Sequence, residues 1–141
     1  MKKLLMLVLL LITGGCMTLP EKNNTLLRAV QSGNMATVQQ MLDSGADVNT
    51  KWYEDTALQY AITHDRVEIA NVLVSRGAYL NVKDRFGDSP LHLAIKKNMN
   101  STIQALISRG TDVNAKGALD DRPLHLARYK GRNDLSAILR E

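Results

Sequence analysis

Apolar residues recur along this chain in two alternating stripes, each short and each with helical spacing. Leu58, Leu91 and Leu124 are followed three positions on by Ala61, Ala94 and Ala127, which sets one large and one small side chain on a common helical face. A second stripe, such as Ile69, Val72 and Leu73, or Ile103, Leu106 and Ile107, marks another helix behind the first. The punctuation agrees. Ser89 can cap a helix that Pro90 opens, because the ring fixes φ and its missing N–H would be unpaired in the first turn anyway, and Thr56 repeats the cap. Gly45, Gly77 and Gly110 follow the second stripes, where a left-handed residue ends a helix at little cost to glycine. The pattern predicts pairs of short antiparallel helices, with the alanine column letting neighbouring pairs come close.

One apolar run stands apart. Leu4 to Ile12 is unbroken, preceded by Lys2 and Lys3 and followed by the small residues Thr13, Gly14 and Gly15. It is too short for a membrane-spanning helix, which needs about 20 residues, and the glycines and Pro20 that follow do not suit a core helix. Basic start, short apolar middle and small residues make the layout of a secretory signal.

The stripes belong to a longer repeat. "GADVN" at 45–49, "GAYLN" at 77–81 and "GTDVN" at 110–114 recur in step with "TALQYA" at 56–61, "SPLHLA" at 89–94 and "RPLHLA" at 122–127, and a degenerate copy, "NTLLRA", stands at 24–29. A period near 33 with these two motifs in phase closely resembles the ankyrin repeat over about residues 24–141. The resemblance implies an all-α solenoid of four helix-turn-helix units with β-turn fingers, at about 24–51, 52–84, 85–117 and 118–141. One such unit buries little, and stacking makes the core continuous. Arg28 and Arg140 fall in columns that are apolar in other copies, as suits outer units that face water. The first finger is one residue shorter than the others and lacks a counterpart of Asp84, so the middle finger, 82–88, is expected to be the most regular. Arg122 replaces the capping Ser or Thr, a loss of about 1 kcal/mol unless Asp121 takes over.

The lone cysteine, Cys16, changes the reading of the leader. "ITGGC" resembles the lipobox of bacterial lipoproteins, although Thr13 stands where that family usually has Leu, Val or Ile. The resemblance implies cleavage after residue 15, lipidation of Cys16, and a tether over 16–23. Met17 in place of Asp after the cysteine implies, by likeness to enterobacterial lipoproteins, the periplasmic side of the outer membrane. Two or three acyl chains would hold such a protein durably where one would not.

Charge narrows the partners. Loss of residues 1–15 removes Lys2 and Lys3 and no acid, lowering the formal charge from +4 to +2. Basic and acidic residues are interspersed, so no nucleic acid is indicated, and only the lipid would contact a membrane. No nucleophile elbow, phosphate loop, zinc motif or paired-cysteine motif occurs, so no catalytic residue, cofactor or metal is expected. By the family resemblance, His92 and His125 are structural, each bonding the Ser or Thr of its own motif and the neighbouring finger.

What remains is binding. In ankyrin proteins the finger tips and the exposed ends of the inner helices line a concave surface that grips partners. The matching positions are Trp52, Tyr53, Asp55, Thr63 and His64; then Arg85, Phe86, Asp88, Lys96 and Lys97; then Leu119, Asp121, Tyr129 and Lys130. Four of the chain's six aromatics lie in these columns, and hot spots favour aromatics and Arg. The expectation is a membrane-tethered periplasmic module whose partner is another protein. Bacterial ankyrin-repeat lipoproteins, which this chain resembles, include immunity proteins that neutralise lipase toxins. The alternatives are a chaperone or scaffold for a periplasmic enzyme such as a catalase, or a structural envelope protein.

Overall fold

The computed structural model describes residues 17–140, so the leader and Cys16 lie outside the described residues. The first helix, α1, spans Leu19–Ser32. Thr18 precedes it in extended conformation, and Glu21 Oε2 accepts hydrogen bonds from the Thr18 amide at 2.7 Å and hydroxyl at 3.0 Å. Pro20 sits in the first turn, where it displaces no hydrogen bond. The first unit therefore starts before residue 24, and residues 19–23, read from sequence as tether, belong to its inner helix.

Seven more helices follow among the described residues: α2 Met35–Asp43, α3 Ala57–Thr63, α4 Val67–Ser75, α5 Pro90–Lys96, α6 Asn100–Ser108, α7 Pro123–Tyr129 and α8 Asn133–Leu139. The starts of α3 and α5, at Thr56 and Ser89, are the expected ones. Thr56 Oγ1 accepts the Gln59 amide at 3.2 Å while Gln59 Oε1 accepts the Thr56 amide at 2.8 Å, a reciprocal cap that satisfies two donors. Arg122 caps α7 with no side-chain bond, so the expected shortfall there stands. Gly45, Gly77 and Gly110 follow the outer helices with φ of 94°, 87° and 82°. A second left-handed column joins inner to outer helix at Gly33, Asp65, Asn98 and Gly131. Its changing residue type hides it in the sequence, yet Asp and Asn are the side chains that best tolerate this conformation.

The inner helices α1, α3, α5 and α7 pack in order, and α2, α4 and α6 do the same behind them. Leu58, Ala61, Leu91, Ala94 and Ala127 are buried, as are Ile69, Leu73, Ile103 and Leu106, so both stripes form the core, with Val72 and Ile107 of the second stripe only partly buried against it. Leu124, at the end of the inner row, is only partly buried. Arg28 and Arg140 face solvent. Successive units are also tied by the asparagine that ends each "GADVN"-type motif. Asn49 Oδ1 accepts the Tyr79 amide at 2.7 Å, and Asn81 Oδ1 accepts the Asp112 amide at 2.8 Å.

The fingers differ from expectation. The short first finger, not the middle one, forms a β-ladder: β1, Lys51–Trp52, pairs antiparallel with β2, Asp55–Thr56, with Trp52 opposite Asp55. Dropping one residue leaves a two-residue loop whose first member, Tyr53, has φ of 56°, the geometry that suits a tight hairpin. The middle finger is held instead by Asp84, whose Oδ1 accepts the amides of Phe86 and Asp88, both at 2.9 Å. Among the described residues no helix is long and apolar enough to cross a membrane.

Candidate partner-binding face

The fingers carry their aromatic side chains out into solvent. Tyr53 is 89% exposed, Phe86 69% and Trp52 38%, while Leu119 and Tyr129 near the other end reach 85% and 90%. These side chains are not consumed in packing one finger against the next. Trp52 and Tyr53 meet edge to face with ring centroids 5.8 Å apart, and the Arg85 guanidinium lies 5.3 Å from the centre of the Phe86 ring.

Two hollows gather most of the predicted residues. The first, about 630 Å³, lies between the first two fingers and is lined by Trp52, Tyr53 and Asp55, by Thr63 at the end of α3 and His64 that caps it, and by Arg85 and Phe86. The second, about 590 Å³, is lined by Lys96, Leu119, Asp121, Tyr129 and Lys130. His125 also lines this second hollow. Lys97 lies in neither, and its ammonium stands 3.3 Å from Asp65.

Asp88 is the exception among the predicted contacts. It is 3% exposed, Oδ1 accepts the Ala118 amide at 2.9 Å, and Oδ2 meets the Lys96 ammonium at 2.5 Å. Burial alone would push its pKa up, but the Lys96 ammonium and the Ala118 amide outweigh that and hold it below the usual carboxylate value. Asp88 thus joins the middle finger to the last one and offers nothing to a partner.

The two repeat histidines part company. His92 is fully buried, with Nδ1 2.7 Å from Ser89 Oγ and Nε2 3.1 Å from the Asp121 carbonyl oxygen. A carbonyl can only accept, so Nε2 carries the proton, and in the neutral ring Nδ1 accepts from the serine hydroxyl. A Cβ added at Gly117 would come within 2.8 Å of this ring, which explains the glycine in the last finger. His125 is exposed, and the residue at its cap position is Arg122, so the structural role implied for it is not met. In the second unit Gln59 takes the histidine's place, donating from Nε2 to the Val82 carbonyl at 2.7 Å.

Sequence reasoning missed Tyr60 and Glu54, which also line the first hollow. Tyr60 stacks on His64 with centroids 3.9 Å apart and planes 12° from parallel. Its signal was available: it occupies the inner-helix column that holds Leu93 and Leu126 in later copies.

A stack of helical pairs that presents finger aromatics and helix ends along one side defines a repeat-built binding module. The chain belongs to the ankyrin-repeat family: the family model for ankyrin repeats (3 copies) matches residues 2–84, and that for a single ankyrin repeat matches 86–118. As such it is a protein–protein interaction module. Similar curated proteins include the mouse (Mus musculus) 2-5A-dependent ribonuclease, 38% identical over 85 residues, which cover 57% of this chain and 11% of that protein. Another is the ankyrin repeat, SAM and basic leucine zipper domain-containing protein 1 of Ovis aries, 40% identical over 65 residues, covering 45% of this chain and 14% of that one. The chain spans less than a sixth of the length of either relative.

Proposed function

We propose that this chain is a lipid-anchored protein held at the periplasmic face of the outer membrane, where it binds one protein partner across the two hollows and neutralises it. The partner we favour is a lipase toxin, with the chain acting as its immunity protein. The observation that carries binding is the exposure of Trp52, Tyr53, Phe86 and Tyr129 along the finger side, an arrangement that leaves large apolar area uncovered in the free protein. The anchor rests on the "ITGGC" segment, and the reading needs no catalysis by the chain itself.

The test starts from the neighbouring gene: where it encodes a lipase-like toxin, cells challenged with that toxin are scored for protection by this chain. The full chain should protect. Trp52→Ala with Phe86→Ala should abolish protection and weaken toxin binding at least 100-fold, and Cys16→Ser should lose labelled palmitate. If the double variant binds and protects as the parent does, the face is misassigned. A neighbouring gene for an oxidative-stress enzyme, captured by the same face, would replace immunity with the scaffold role.

A further inference from the structure

The first hollow lacks the helix-end lysine that the next repeat supplies for itself, although Arg85 lines it. Asp55 and Asp88 occupy the same column, one residue before the helix cap. In the third unit Asp88 is neutralised by Lys96 on the following inner helix, ammonium to carboxylate 2.5 Å. The position matching Lys96 in the second unit is Thr63, whose hydroxyl is turned to the carbonyls of Gln59 and Tyr60, both at 3.0 Å. Asp55 is left short of donors: Oδ1 is buried without a hydrogen-bond partner, and Oδ2 has Arg85 at 3.8 Å, beyond hydrogen-bond reach. An under-satisfied carboxylate beside a cavity is costly in the free protein and gains from any donor that enters.

The walls suit the same visitor. Trp52, Tyr53, Tyr60 and Phe86 line the cavity, Glu54 and Asp84 add two more carboxylates, and Arg85 over the Phe86 ring shows a guanidinium already resting on one of these faces. Aromatic faces attract cations through their quadrupole, and more strongly once water is displaced.

We propose that the hollow between the first two fingers receives a basic side chain of the protein partner, an arginine or lysine, whose charged head takes the place beside Asp55 that Lys96 takes beside Asp88. This rests on the finger side being the binding face. Trp52, the chain's only tryptophan, lies in the cavity wall and reports on it directly. Capped tripeptides Gly-Arg-Gly, Gly-Lys-Gly and Gly-citrulline-Gly would be titrated into the full chain in detergent, following Trp52 emission. The arginine and lysine peptides should give a saturable change, and the neutral citrulline peptide should bind at least tenfold more weakly. Asp55→Asn and Thr63→Lys should each weaken the cationic peptides at least tenfold, the second by filling the site from within. Thr63 is an exposed helix-end residue, so this variant should keep the parent's melting temperature. Equal response to citrulline, or no effect of Thr63→Lys, would overturn the proposal. If the toxin is lost by the Trp52/Phe86 double variant but retained by Thr63→Lys, the binding face stands and the cationic anchor falls.

Discussion

Asp88 shows how a residue can be placed in the right column and given the wrong task. Its position beside the cap was legible, but its burial depended on Lys96 lying eight positions on and on Ala118 thirty positions on, contacts that no local pattern reveals. Asp88→Asn should cost about 1–3 kcal/mol, since one charge-assisted bond is lost and Lys96 is left without its carboxylate. The folded-state pKa lies below the unfolded value near 3.9, so this stabilisation is present above that value and is lost as pH falls through the folded pKa. Thermal melts of the parent and Asp88→Asn should differ most at neutral pH and converge as pH drops below about 4. Asp55, in the same column, has Arg85 at 3.8 Å but no hydrogen-bonded partner on Oδ1, so two residues of one type at one repeat position divide into a fully satisfied carboxylate and an under-satisfied one.

At the scale of the element, helix ends are legible in the sequence and fingers are not. Thr56, Ser89 and the three stop glycines carry their conformation in their own chemistry, so a sequence suffices. The finger at 51–56 does not, because a deletion can either break a turn or tighten it into a hairpin, and the strand pairing decides. The start of α1 differs for another reason: Thr18, Pro20 and Glu21 form a legible helix start, but the lipobox resemblance places the same residues in a tether. The missing cap on α7 gives a direct test. Arg122→Ser should add about 1 kcal/mol, raising the melting temperature by a few degrees, and should give His125 the hydroxyl partner that Ser89 gives His92. A melt unchanged within error would mean that the end of α7 is already satisfied by solvent.

The whole molecule is a short row in which each unit leans only on its neighbours, so position in the row sets the cost of damage. Leu91 lies between two inner helices and is fully buried, whereas Leu124 of the same column is only partly covered. Leu91→Ala should cost about 3 kcal/mol or more and Leu124→Ala about half as much or less, read from urea midpoints of the two variants. The period and stripes were enough to give this architecture, because every copy restates the same packing problem. The surface was legible only as columns, since which side chain of a column stays free is decided by the neighbouring copy.

The uneven filling of those columns gives the face a direction. Glu54, Asp55 and Asp84 outnumber Arg85 at the first hollow, while Lys96 and Lys130 outnumber Asp121 at the second, so a partner bound as proposed would meet an acidic lining at one end and a basic one at the other. Such a face exerts a torque on an approaching charged molecule and turns it before contact, over roughly the 8 Å that physiological salt allows. The same chain laid along the face backwards would set like charges together. Orientation is thus selected during the encounter itself, and a partner's charge order, read from one end to the other, becomes as much a part of recognition as its shape.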